Sequence, residues 1–398
     1  MRHFKFANLI FLFLLAACCR GYSTHSEMNF SVTGEEKPAT IKVLLKQNID
    51  GALIEVKGSY KVYNIEKNKY LSSGFKGKRF YLFPHSDGIK WGEVYPGIYQ
   101  IRLVPTSADT TILVDGIEYR GCMEIYNIDN KVHIVNEIDV ESYIKSTLSS
   151  CFIDGVSKNI LDAVAIVART DAYYLALKNH DSFWHVKSDQ VKYYGNANTL
   201  INPFIDRAVD ATKYLVMIYN EGPFPSTWTK NCAGKTAAYS AVFRKRVKVP
   251  DGVEAVFAKK DRNENIWTYK MDKEKFAKLM KINRVTGIEL FTDPFSAKIY
   301  GIRIKDGNHQ KDLDFFEMQR ILGEKLIKSN DFTVRIEGPS ILFQGYGEGC
   351  GTGLCLYSAA EMAKRGDLIP QILAEFFPYT RIQKMIGYPE FLSQKNIY

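Results

Sequence analysis

The sequence predicts an α+β protein in which a β-rich N-terminal portion runs on into a mixed α/β body. Up to about Asn136, short runs of β-branched residues alternate with Gly, Asn and Asp punctuation, the pattern of strands and turns. From Val140 the apolar spacing changes to that of a helical face. No solenoid-length repeat or low-complexity tract breaks this order, so one α+β domain with a β-rich front is the expected architecture.

Residues 41–45 and 54–56 read as the first strands. The stretch 119–126 alternates, and Asp129-Asn130 supplies a turn before 132–135, which makes a hairpin. Val140, Tyr143, Ile144, Thr147 and Leu148 share one helical face, and 160–177 forms a second, alanine-rich helix for which Asn159 can serve as cap. The loop between these helices holds Cys151, Asp154 and Gly155, and a loop on two rigid supports is a place where chemistry can sit. Further on, 204–212 reads as a helix, and 215–219 and 227–229 as strands around the turn Asn220-Glu221-Gly222. Residues 273–280 and 315–326 look helical, with strands at 297–304 and 332–336.

Arg2 and Lys5 precede an apolar run from Leu9 to Ala17, too short for a permanent span, so residues 1–17 read as a signal peptide. Leu15-Ala16-Ala17-Cys18 resembles the bacterial lipobox, whose cysteine thiol carries the lipid. On that reading Cys18 is the lipid anchor that ties the chain to a membrane, and the mature chain is an exported lipoprotein of the periplasm or cell envelope. An ordinary cleavage site with two incidental cysteines is the alternative. A polar leader (18–40), a β-rich portion (41–118), a body (119–385) and a tail (386–398) complete the division.

The formal charge of +9 is spread along the chain, which fits an anionic polymer as partner; without a basic helix or a nucleic-acid module, nucleic acid is not expected. Cys122, Cys151, Cys232, Cys350 and Cys355 match no zinc ribbon, and their connectivity cannot be read from spacing. Gly345, Gly347, Gly349, Gly351 and Gly353 occupy alternate positions. An extended chain there would present a face without side chains, open to a neighbouring backbone or to a sugar ring.

The order of motifs resembles the family of stage II sporulation protein D and the amidase enhancer LytB (SpoIID/LytB). Tyr119-Arg120-Gly121, then Val135 to Lys145, are similar to YRG and LPLEDYLKG. Ala163 to Thr170 resembles AQAVAARTYA; Gln190-Val191 with Tyr194-Gly195, and Ala208 to Thr212, resemble QVYGG and AVDAT. Cys232-Ala233-Gly234-Lys235-Thr236 resembles CGGRT, and Arg320 to Gly323 and the run from Gly345 to Ala363 close the pattern. The resemblance covers about 119–382 and implies a SpoIID-like domain. It also implies peptidoglycan glycan strands as partner, processed as by a lytic transglycosylase acting on peptide-stripped glycan. The alternative is a non-catalytic peptidoglycan-binding protein or amidase enhancer, with an amidase as partner.

A lytic transglycosylase needs a carboxylic acid that protonates the glycosidic oxygen and then accepts the proton of the C6 hydroxyl. The resemblance places that Glu eight residues after the tyrosine of LEDY, and counting from Tyr143 the residue there is Cys151. Asp154 and Glu348 are the nearby acids left to replace it, Glu348 standing where the family has tryptophan. GHGVGMSQ is here Gly349 to Leu356, with Cys350 for histidine, Cys355 for serine and Leu356 for glutamine. Arg169, Thr236, Gly347, Gly349 and Gly351 are the expected cleft and substrate-binding residues, an internal ion pair being the alternative for Arg169. The resemblance also implies zinc: thiols at 151, 232 and 350 could share it, with Cys232 and Cys350 the metal candidates, or could form a disulfide or lie buried and inert. Cys151, Cys232 and Cys350 are expected to line one cleft. A cysteine-dependent amidase using Cys151 lacks a motif histidine, His180 and His185 being nearest in sequence.

Overall fold

The computed structural model describes residues 37–152, 156–195 and 202–388. Cys18, the expected lipid anchor, and Asp154 therefore lie outside the described residues.

The expected hairpin forms between Cys122–Ile128 and Lys131–Asp139, and its turn residues Asp129 and Asn130 both take left-handed φ (50° and 58°). Two successive positive φ values match the right-handed twist of the flanking strands, which is why Asp and Asn stand there. Lys131–Asp139 also pairs antiparallel with the first strand, Thr40–Ile49, with Ile41 opposite Ile138 and Val43 opposite Asn136. The N-terminal strands and the body thus share one seven-stranded sheet, in the order 186–187, 40–49, 131–139, 122–128, 100–105, 60–64, 69–74. A six-stranded sheet (117–119, 111–114, 52–57, 78–85, 88–91, 93–96) contributes to the same core. Trp91 is wholly buried in that core and donates from Nε1 to the Ile54 carbonyl at 3.3 Å, so its one polar atom is satisfied.

Two helices follow. Helix α1 (Val140–Cys151) leaves directly from the hairpin, and the Asp139 carboxylate caps it by accepting from the Ser142 backbone N–H at 2.9 Å. Helix α2 (Leu161–Lys178) is buried from Ala163 to Thr170 without a break, as its nearly unbroken apolar sequence requires of a central helix. Asn159 is not its cap: 158–160 form a 3-10 turn, and the cap position, Ile160, makes no side-chain bond. The helix expected to reach residue 326 is Phe315–Leu322, because Gly323 (φ 106°) turns the chain out of it. Leu215–Ile218 and Trp228–Thr229 form as strands but do not pair with each other. The first pairs with Arg381–Lys384 and the second, in parallel, with Leu354–Cys355.

Residues 266–346 build a second core. Two three-stranded sheets, 266–272/340–346/332–337 and 287–292/299–306/309–314, pack with the helices Lys273–Met280 and Phe315–Leu322 around Phe276, Ile302, Phe315, Met318 and Phe343. Its last strand, Ser340–Tyr346, hands the chain straight into the glycine run. Among the described residues no helix is long and apolar enough to cross a membrane.

Candidate active site

Helix α1 ends at Cys151, and the ring of the next residue, Phe152, lies 5.7 Å from that of Trp228. The pairing of Trp228–Thr229 with Leu354–Cys355 brings the glycine run to the same place. Cys350 Sγ donates to the Trp228 carbonyl at 3.7 Å and lies 3.2 Å from Thr352 Oγ1, itself 2.8 Å from Thr227 Oγ1. Phe152, the residue after Cys151, and Cys350 therefore both border Trp228. Burial pushes the Cys151 thiol up, with Lys192 opposing, so at neutral pH it is an uncharged thiol. Such a group is a poor proton donor and a poor nucleophile.

Cys232 has a different thiol neighbour. Its backbone N–H donates to Cys355 Sγ at 3.3 Å, and both residues are buried. Burial raises the Cys355 thiol, but hydrogen bonds accepted from the Cys232 thiol, Ser358 and the Cys232 backbone outweigh it and bring it to about 6. The donated thiol proton and burial hold Cys232 up. Of the two metal candidates, Cys232 is thus engaged by Cys355, while Cys350 lies against Trp228 and Thr352. Cys355 faces inward opposite Thr229 and takes Cys232 as partner, all five described thiols are unbridged, and no three His, Cys, Asp or Glu side chains gather as ligands among the described residues.

Arg169, expected in the cleft, is wholly buried. Its Nε and Nη2 meet Glu141 Oε1 and Oε2 at 2.8 and 2.7 Å, and its remaining donors reach the Val209 and Leu215 carbonyls at 3.1 and 3.2 Å. It is the internal ion pair, joining α1, α2 and the helix Pro203–Ala211, and it has no surface to offer a substrate. Thr236 lines a narrow cavity with Thr227, Tyr239 and Gly353, but its hydroxyl accepts from the Val253 backbone N–H at 2.9 Å and serves first to hold that segment.

Gly345 lies in the strand Ser340–Tyr346, but from Gly347 onward the run is not extended. Gly347, Gly349, Gly351 and Gly353 all take positive φ, at 70°, 107°, 67° and 69°. What a side chain on them would meet is protein, the neighbouring-segment alternative. A Cβ at Gly347 would stand 2.3 Å from the Asn231 carbonyl, one at Gly349 2.4 Å from Thr229 Oγ1, and one at Gly353 2.0 Å from the Thr227 carbonyl. The next residue to one of these glycines, Glu348, is exposed and ion-paired with Lys230 at 2.8 Å.

Two features escaped the sequence reading. Lys298, wholly buried in the second core, pairs with Asp331 at 2.7 Å and donates to the Cys232 carbonyl at 2.6 Å, while Arg262 grips Asp331 with two bonds of 2.8 Å and also reaches the Ala233 carbonyl. The second core thereby holds the Cys232-Ala233 turn, through residues with no local signature. The other is Asp171, an acid in the apolar run of α2. Burial pushes its carboxyl up to about 7 against the backbone N–H of Ser226, and its charge in turn acts on Tyr143, Tyr174 and Tyr239. An acid inside a helix that is otherwise buried all round is the signal that could have marked it.

The hairpin turn, α1, α2 and the strand Leu215–Ile218 are the segment recognised by a family model, that of SpoIID, stage II sporulation protein, which matches residues 128–219. A Chlamydia pneumoniae protein described as uncharacterized is 34% identical over 184 residues, covering 46% of this chain and 67% of the relative. A Chlamydia muridarum protein is also 34% identical over 184 residues, covering 46% and 64%. A protein of Brachyspira hyodysenteriae is 28% identical over 345 residues, 83% of this chain and 91% of the relative. With this segment matched and two thirds of the first relative spanned, the chain belongs to the SpoIID (stage II sporulation protein) family, and its work concerns the peptidoglycan of the cell wall.

Proposed function

We propose that the protein holds and processes peptidoglycan glycan strands in the manner of a lytic transglycosylase acting on peptide-stripped glycan, at the surface bordered by Cys151, Trp228 and Cys350. The observation that supports this reading is the convergence at Trp228 of the end of α1 and the glycine run, two motifs far apart in sequence. A second reading, a strand-binding protein or amidase enhancer with an amidase as partner, is favoured by the uncharged thiol at the position where the resemblance expects the acid. In both readings the chain is an exported lipoprotein held by Cys18.

Incubating the purified protein with peptide-free glycan strands separates the two. Strand binding with release of 1,6-anhydro products, read by mass spectrometry, supports the first reading. Binding without release leaves the second, and no binding overturns both.

A further inference from the structure

With a thiol at position 151, the carboxyl that glycan cleavage requires has to come from another element. Glu348 is exposed and engaged by Lys230. Asp171 differs on each count: it lies in the third turn of α2, is only partly exposed, and no cation pairs with it among the described residues.

Val167 and Asp171, one turn apart on α2, face the segment that ends at Trp228. Ser226 Oγ donates to the Val167 carbonyl at 2.7 Å and the Ser226 backbone N–H donates to the Asp171 carboxylate. The next residue, Thr227, hydrogen-bonds Thr352 and through it Cys350, and lines the narrow cavity with Tyr239 and Gly353. The residue after that, Trp228, borders Phe152 beside Cys151. The charge of the Asp171 carboxylate is felt by Tyr143 from α1, Tyr174 from α2 and Tyr239 from the helix Tyr239–Phe243; Cys151 acts on the first of these and Cys350 on the last. In the family segment AQAVAARTYA the residue after the threonine is tyrosine, and here it is Asp171. The chain lacks the acid at one place and carries a new one at another.

We infer that Asp171 is the general acid of this site, doing what position 151 no longer can. The inference rests on the transglycosylase reading above. The protonated Asp171 carboxyl gives its proton to the glycosidic oxygen as the bond from the sugar C1 to that oxygen breaks, and the leaving sugar departs as the alcohol. The carboxylate then takes the proton of the C6 hydroxyl while that oxygen bonds to C1, which closes the 1,6-anhydro ring and restores the acid without water or any co-reactant. Burial keeps this carboxyl protonated at mildly acidic pH, against the Ser226 backbone N–H, and that is the state an acid catalyst needs.

The test uses the full chain on peptide-free glycan strands, with strand binding, anhydro-product release and melting temperature measured together. Native release should fall as pH rises through about 7. Asp171→Asn should lose release by about 10²-fold or more while still binding strands, and Asp171→Glu should restore part of it. Release by Asp171→Asn at the native rate overturns the inference and leaves the transglycosylase reading intact. Binding by native protein without release at any pH overturns it and leaves the binding-protein reading; no binding defeats the inference and both readings. If Asp171→Asn does not fold, the native profile decides alone, and release that stays level across neutral pH overturns the inference.

Discussion

Arg169 and Glu141 form two parallel charge-assisted bonds away from water, and neither residue can be changed alone without leaving a buried charge unpaired. Glu141→Gln or Arg169→Met should lower the unfolding free energy by roughly 3–5 kcal/mol, read by urea denaturation. The thiols make a second prediction at this scale. Cys151 and Cys350 are half-buried, whereas Cys232 and Cys355 are buried. Native-state alkylation followed by peptide mass spectrometry should therefore modify Cys151 and Cys350 but spare Cys232 and Cys355 until denaturant is added, although Cys355 is the more acidic thiol; access, not thiolate content, governs the order. The sequence left the connectivity of these cysteines open. Which pairs with which depends on the parallel register of Trp228–Thr229 against Leu354–Cys355, and no local pattern encodes that register.

At the scale of elements, the α1 cap and the glycine run carry the fold into the site. Asp139→Ala removes the one side-chain acceptor at the start of α1 and should cost about 1 kcal/mol in the same unfolding measurement. Gly353→Ala should cost more: a left-handed φ costs a non-glycine residue roughly 1–3 kcal/mol, and its Cβ would also press on the Thr227 carbonyl. A Gly353→Ala protein as stable as native would show that the run does not pack against the Trp228 segment. The hairpin, α1 and α2 were legible because alternation, turn chemistry and helical spacing are local signals. The glycine run was legible only as a close approach: alternate glycines fit a bare extended face and a string of left-handed turns equally well, and the carbonyls of another segment decide between them.

The whole molecule should show the Asp171 carboxyl in its stability. Its native pKa of about 7 lies above its ordinary 3.8. At pH values below both, the two states are protonated alike and the group is neutral in effect. Between them the native state binds a proton that the unfolded chain has released, so stability falls as pH rises from about 4 to about 7, and the full penalty remains above that. Urea midpoints across this window should decline with pH more steeply for native protein than for Asp171→Asn; parallel curves would show that the carboxyl titrates normally. The lipoprotein reading is tested at the same scale: Cys18→Ala should abolish lipid labelling and release the protein from membranes, and unchanged labelling overturns it.

The sequence by itself determined the α+β class, the continuity of the N-terminal strands with the body, the positions of α1 and α2, and the family, because each is written in neighbouring residues or in ordered motifs. Only the tertiary structure decided that Arg169 is an internal ion pair, that Cys232 belongs to Cys355, that a second core at 266–346 grips the Cys232 turn, and that Asp171 stands beside the segment leading to Trp228. Those outcomes depend on which residues distant in sequence come to share one low-dielectric space, where desolvation and a single hydrogen bond set the charge state and role of each group.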